Sequence, residues 1–190
     1  EKEMVQKRDF SVWSCRLPPI ARFPEGGRAG ATCPTPVALL DVVPTVCDVA
    51  GVDAALPHDG ESLLGAFDDD AEDRCVFVQA HEAVGVPCIM ARQGQYKYNY
   101  IHGHDDQLFD LDADPGEWHS LVDDPAHADT AARLRSAILA RFDPDKMAGE
   151  NLESLYRRRH IRDAMKATGT RWDHAPAFDP GKGALAQYLA

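Results

Sequence analysis

The chain has 190 residues, enough for one ordinary domain or for a small domain beside part of another. Its 44% hydrophobic and 27% charged residues are those of a globular protein, which argues against disorder throughout. A formal net charge of -11 disfavours a general electrostatic grip on nucleic acid or an anionic membrane surface, and no apolar run approaches the roughly 20 residues that cross a bilayer.

The opening Glu1-Lys2-Glu3-Met4 has no signal-peptide profile and reads as a cut inside a longer protein. In the first 35 residues, Pro18 and Pro19 within Leu17-Pro18-Pro19-Ile20 exclude a helix interior, so an extended segment ending in a turn at Glu25-Gly26-Gly27 is expected. A helix follows. Thr35 suits its cap, Pro36 its first turn, and Val37, Leu40, Val43, Val46, Cys47 and Ala50 recur at helical spacing before Gly51 ends it. Pro44 should divide or kink this helix, and apolar residues on its other faces predict that it is buried.

His58-Asp59-Gly60 and Asp68-Asp69-Asp70 mark loops, and the composition changes near Arg74. Four short strand-like runs come next: 75–78, 88–91, 96–101 and 108–111. Tyr96, Tyr98 and Tyr100 alternate with Lys97 and Asn99, the period-two pattern of a half-buried strand. Short connections between the runs predict an antiparallel meander. The clearest helix spans about 126 to 142, with Ala131, Leu134, Ile138, Leu139 and Phe142 in one stripe. A second helix over 145–168 and a Pro- and Gly-rich tail from Trp172 complete the chain. A helix on one face of a small antiparallel sheet is an α+β layer.

Five cysteines without a Cys-x-x-Cys pair point to reduced thiols in a cytoplasmic compartment, each acting as a small buried hydrophobe. His102 and His104 form a His-x-His pair of the kind that binds transition metals, but their Gly- and Asp-rich setting favours a turn. Asp110, Asp112 and Asp114 have the wrong spacing for an EF-hand, and a turn in which Asp112 or Asp114 bonds its own backbone is expected. His81 and Glu82 follow a strand and precede Gly85, a setting for proton transfer or cation binding. Arg157-Arg158-Arg159-His160 is a basic run suited to pairing with acidic patches. No Gly-x-Ser-x-Gly nucleophile setting and no phosphate-cradling glycine pattern occurs.

The segment Met90-Ala91-Arg92-Gln93-Gly94-Gln95-Tyr96-Lys97-Tyr98, followed by Leu108-Phe109-Asp110-Leu111 and Asp114-Pro115-Gly116-Glu117, resembles the C-terminal signature of type I sulfatases. Ser120 stands where that family usually has Asn. Asp41 to Gly51 is similar to the family's Asp-xx-Pro-Thr-xx-Asp-xx-Gly helix, and Asp59-Gly60-Glu61-Ser62-Leu63 to the motif that follows it. The basic helix and the Trp172-Asp173 tail resemble the choline-sulfatase branch.

This resemblance implies a remnant of an alkaline-phosphatase-like α/β domain over residues 1–73. It also implies a small four-stranded antiparallel sheet with a packed helix over 74–144, and a helix with an extended tail over 145–190. It implies hydrolysis of a small sulfate ester by a formylglycine nucleophile beside a bound calcium ion. The Cys-x-Pro-x-Arg source of formylglycine does not occur in these residues, and the family's calcium ligands lie upstream of the position matching Glu1, so the chain alone is expected to be inactive. The family's sulfate-contacting lysine corresponds to Lys7. Trp13 offers an aromatic face for a quaternary ammonium group, whereas Gln79-Ala80-His81-Glu82 departs from the pattern of choline-specific members. His81, Glu82, His102 and His104 complete the candidate substrate contacts. The tail's aromatic residues imply a homo-oligomer. Two alternatives stay open: a phosphonate or phosphate monoester hydrolase of the same superfamily, and a non-catalytic interaction module.

Overall fold

In the computed structural model, the described residues are 10–23, 29–53, 57–67, 74–80 and 86–170. Lys7, the turn at Glu25-Gly26-Gly27, the run Asp68-Asp69-Asp70, the His81-Glu82 pair and the tail from Trp172 lie outside them. The chain divides into two compact units, Glu1–Ala148 and Gly149–Ala190.

The four expected strands form one antiparallel sheet, with β1 (Cys75–Ala80), β2 (Cys88–Gln93), β3 (Tyr96–Ile101) and β4 (Gln107–Asp110) in sequence order. Gly94 and Gln95 turn β2 into β3, so that Gln93 faces Tyr96 and Ala91 faces Tyr98. Residues paired across antiparallel strands share a face of the sheet. Ile89, Ala91, Tyr98, Tyr100 and Leu108 therefore lie together, and helix α3 lays Leu134 and Ile138 onto them as one core. Burying each large side chain there stabilises the fold by about 1.5 to 3 kcal/mol.

Helix α3 spans Ala128–Arg141 and is preceded by a 3-10 turn, Pro125–His127. Asp124 starts that turn by accepting the Ala126 N–H at 2.9 Å. Leu139, expected in the buried stripe, is exposed, because the sheet meets the helix along Leu134 and Ile138.

The other sheet face corrects the half-buried reading of β3. Lys97 and Asn99 are buried as deeply as Tyr98 and Tyr100. Phe10 packs with Cys88 and Met90 on this side, so both faces of the central strands are covered. Residues 12–15 form a single helical turn, α1 (Val12–Cys15), in which Ser14 and Cys15 donate to the Ser11 carbonyl at 2.9 and 3.0 Å. Beyond it Leu17-Pro18-Pro19-Ile20 is exposed and irregular, as its prolines require.

The Pro44 region forms a 3-10 turn, Leu39–Asp41, that runs into helix α2 (Val42–Ala50). Thr35 does not cap this helix, which begins seven residues later at Val42. Pro44 is its third residue, where an N–H has no intrahelical acceptor to lose, so it neither kinks nor divides the helix. Gly51 closes it in the left-handed conformation with φ of 66°. The expected burial is not found. Leu39, Val42, Val43, Val46 and Val49 are all about half exposed or more, with Leu39 at 69% and Val46 at 61%.

Helix α4 runs from Pro144 to Thr168 and exposes Leu152, Leu155, Ile161 and the basic run 157–160. No helix among the described residues is long and apolar enough to cross a membrane.

Candidate functional site

On the sheet face opposite α3, the Lys97 ammonium lies 2.8 Å from the Glu117 carboxylate. The same ammonium donates to the backbone carbonyl of Phe10, 87 positions away in sequence. Lys97 is only 2% exposed, so its charge is out of water and compensated by these partners. Glu117 reaches it from a backbone in the left-handed region, at φ of 55°, where a residue with a side chain costs roughly 1 to 2 kcal/mol. The preceding turn supports that geometry: Asp114 accepts the N–H groups of Trp118 and His119 at 2.6 and 2.8 Å, which hold its carboxyl below the usual range. Arg92 stands opposite Lys97 in the register. Burial lowers its guanidinium, and the charge of Arg16 lowers it further, while Asp112 and Glu117 act the other way.

A second polar knot joins α2 to the loop after it. Asp41 is 1% exposed and accepts Ala38 N–H at 2.6 Å, Glu61 N–H at 3.0 Å and the Arg74 guanidinium at 2.6 Å. Burial alone would raise its carboxyl. The Arg74 hydrogen bond and the two N–H groups outweigh that, so it titrates below the ordinary carboxylate range. Thr45 donates to the Asp41 carbonyl at 2.6 Å and accepts Leu63 N–H at 2.8 Å. Gly60 runs so close to Leu40 that an added Cβ would sit 2.1 Å from its carbonyl oxygen. The two motifs that begin at Asp41 and Asp59 are thus one structural unit.

His102 and His104 lie in the β3–β4 turn, as the turn reading expected. The His102 ring is 3.2 Å from the Tyr100 hydroxyl through Nδ1 and 3.6 Å from Asp145 through Nε2, while His104 is exposed. Trp13 is on α1. Lys7, His81 and Glu82 fall outside the described residues. Asp106, in the same turn, takes the Tyr98 hydroxyl at 2.6 Å and the Ile101 N–H at 3.1 Å. In the acidic turn Asp110, the last residue of β4, accepts the Asp112 and Ala113 N–H groups. Asp114 accepts backbone N–H groups as expected.

No disulfide joins the cysteines, and burial pushes the Cys88 and Cys75 thiols up, which disfavours the thiolate a nucleophile needs. Among the described residues no group of three or more His, Cys, Asp or Glu side chains comes together to hold a metal ion. These residues do not fit a calcium site. Lys97, Glu117 and Asp41 stand inside the sulfatase-like motifs, but nothing in their spacing marks them as buried and charge-paired. The polar member of the β3 alternation was the available signal for Lys97.

A family model described as N-sulphoglucosamine sulphohydrolase, C-terminal, matches residues 1–143. The chain belongs to that family. It is a C-terminal portion of the type I sulfatases, as its motifs implied. This sulfatase portion is similar to the choline-sulfatase of Rhizobium meliloti, 32% identical over 184 residues, which are 93% of this chain and 36% of that protein. It is also similar to the Delta 4,5-hexuronate-2-O-sulfatase of Bacteroides thetaiotaomicron, 32% identical over 106 residues, 52% of this chain and 22% of that one. A solved 2-O GAG sulfatase aligns at 28% identity over 63% of this chain and 26% of its own, with a TM-score of 0.45. The chain therefore spans little more than a third of the choline-sulfatase it matches.

Proposed function

We propose that these residues form the C-terminal part of an enzyme that hydrolyses a small sulfate ester. The observation that carries this is the sulfatase family match over residues 1–143. Within this reading Lys7 contacts the sulfate, and Trp13, His81, Glu82, His102 and His104 are the candidate substrate contacts. Formylglycine would supply the nucleophile and calcium the charge compensation, neither held by the described residues. Similarity over 93% of the chain to a choline-sulfatase supports a substrate with a cationic head.

The same proposal covers the chain's organisation. Residues 1–73 belong to a larger α/β body, 74–144 to the sheet layer and 145–190 to a helix and tail that join subunits of a cytoplasmic homo-oligomer. The exposed ridge of Leu39, Val42, Val46 and Val49 supports the first part, since apolar side chains at helical spacing on a surface mark a packing face.

The test uses a longer protein that carries these residues together with a Cys-x-Pro-x-Arg motif. Its rates on an aryl sulfate, choline sulfate and an aryl phosphonate are compared. Faster sulfate turnover is expected, and Lys7→Ala should cut it about 100-fold, the scale for losing one charge-stabilising contact. A preference for the phosphonate would make it a phosphonate monoester hydrolase. Absence of turnover on all three would leave an interaction module.

A further inference from the structure

On the sheet face opposite α3, two guanidiniums come within electrostatic reach of each other with no carboxylate paired to either. Arg92 is on β2, opposite Lys97 of β3 and Val76 of β1, and residues paired across antiparallel strands share a face. The segment that brings Arg16 towards it is pinned at both ends. Its start is held by the Lys97 ammonium, which donates to the Phe10 carbonyl. Its end is held by Cys15, which packs against the cluster of Phe10, Cys88 and Met90. Met90 precedes Arg92 by two residues on β2 and therefore lies on the same face. Arg16 follows Cys15 directly, and its charge is felt at Arg92.

Neither charge is neutralised. The Arg92 guanidinium donates to the Gly94 carbonyl at 3.5 Å, and Arg16 is exposed. Among the described residues no carboxylate forms an ion pair with either of them. Asp112 and Glu117 act on Arg92 from farther away, and Glu117 is already bonded to Lys97 at 2.8 Å. Asp112 is left facing two positive charges. A lysine or histidine so placed could shed its proton, but a guanidinium cannot, so the repulsion persists until an anion relieves it. Arg92 is half-buried, and salt and water screen such a charge less than an exposed one.

Each planar guanidinium presents paired N–H donors that match two oxygens of an oxyanion, so two of them can grip separate edges of a tetrahedral ion. We propose that Arg16 and Arg92 form a binding site for a divalent tetrahedral oxyanion, with inorganic sulfate as its probe. The sulfate group of an ester has the same oxygens but one charge fewer, and two adjacent cations favour the dianion. Sulfate is also the product of the reaction proposed above. Binding of the free ion is read without turnover, so this inference stands or falls apart from that reading.

The experiment titrates the 190-residue chain with sodium sulfate, and separately with methyl sulfate, at ionic strength held constant by sodium chloride. Backbone amide shifts at Arg16, Arg92 and Gly94 are followed by nitrogen–proton correlation NMR in wild type, Arg16→Gln and Arg92→Gln. Saturable shifts at these positions are expected with sulfate in the millimolar range, and several-fold weaker binding with methyl sulfate. Arg16→Gln should weaken sulfate binding about tenfold or more, the scale of losing one charged hydrogen-bonding group. Arg92→Gln should do the same.

Arg16 is exposed, so its variant keeps the fold, and if Arg92→Gln unfolds Arg16→Gln alone decides. Shifts that never saturate, or a sulfate affinity unaltered by Arg16→Gln, overturn the site. Methyl sulfate binding as tightly as sulfate overturns the dianion as its ligand.

Discussion

Asp41→Asn removes one charge and one acceptor from the knot that ties α2 to the 58–63 loop. The carboxylate serves three donors with two oxygens: Glu61 N–H and the Arg74 guanidinium on one, Ala38 N–H on the other. Asparagine has a single acceptor oxygen. In either orientation its NH2 group faces a donor, so at least one buried partner is left unmatched. A hydrogen bond to a charged group contributes about 1.5 to 3 kcal/mol, and leaving its partner unmatched costs at the upper end of that range. Arg74 retains Glu61 at 3.3 Å, but that carboxylate is 74% exposed and screened by water, so it compensates little. The expected loss is about 3 to 4 kcal/mol, within the range for breaking a buried pair. Amide exchange at Glu61 and Leu63 measures it, since both N–H groups are bonded inside the knot. A loss below about 1 kcal/mol would refute the reasoning. The sign of the pH dependence follows from the lowered carboxyl. Its stabilisation is fully present above the unfolded value near pH 4 and is lost as pH falls below it. The Asn variant should lack that acid-induced component.

Two further outcomes follow from the geometry. Gly60→Ala should destabilise by about 2 kcal/mol or more, because the obstacle is the Leu40 backbone; Gly116→Ala should cost clearly less, since the obstacle there is the exposed Trp118 side chain, which can turn aside. Urea unfolding of the two variants side by side checks the order, and equal costs would count against it. Burial, then the bond to Asp106, raises the Tyr98 phenol. Its contribution is therefore complete below about pH 10 and is lost as pH rises further, so Tyr98→Phe should cost about 1 to 2 kcal/mol at neutral pH and flatten the alkaline decline. An alkaline unfolding curve as steep as wild type would contradict this.

Most of the sheet and both long helices were legible because their patterns are local. The strand runs at 75, 88, 96 and 108 and the stripe of Leu134 and Ile138 each follow one period, and the structure places them within a residue or two. What failed involved a second partner. Periodicity put Lys97 in water because it cannot see that Phe10 covers that face. It made α2 a buried helix because its valines are apolar, although within the described residues nothing covers them. The Asp41 knot spans 20 residues to Glu61 and 33 to Arg74, and such a non-local bond leaves no trace in spacing. Of the candidate contacts, His102 and His104 were rightly placed in a turn, and the others fall largely outside the described residues.

The valine ridge on α2 also governs how these 190 residues behave in a test tube. A row of half-exposed Leu39, Val42, Val46 and Val49 is adhesive to any similar row, so at high protein concentration two copies should stick through it. Such association strengthens with kosmotropic salt and weakens on cooling. Contacts through the Arg157-Arg158-Arg159 stretch would respond to salt in the opposite sense. Sedimentation across a sulfate series therefore separates adhesion through the ridge from assembly through the C-terminal helix, and Val46→Ser should abolish the first while sparing the second.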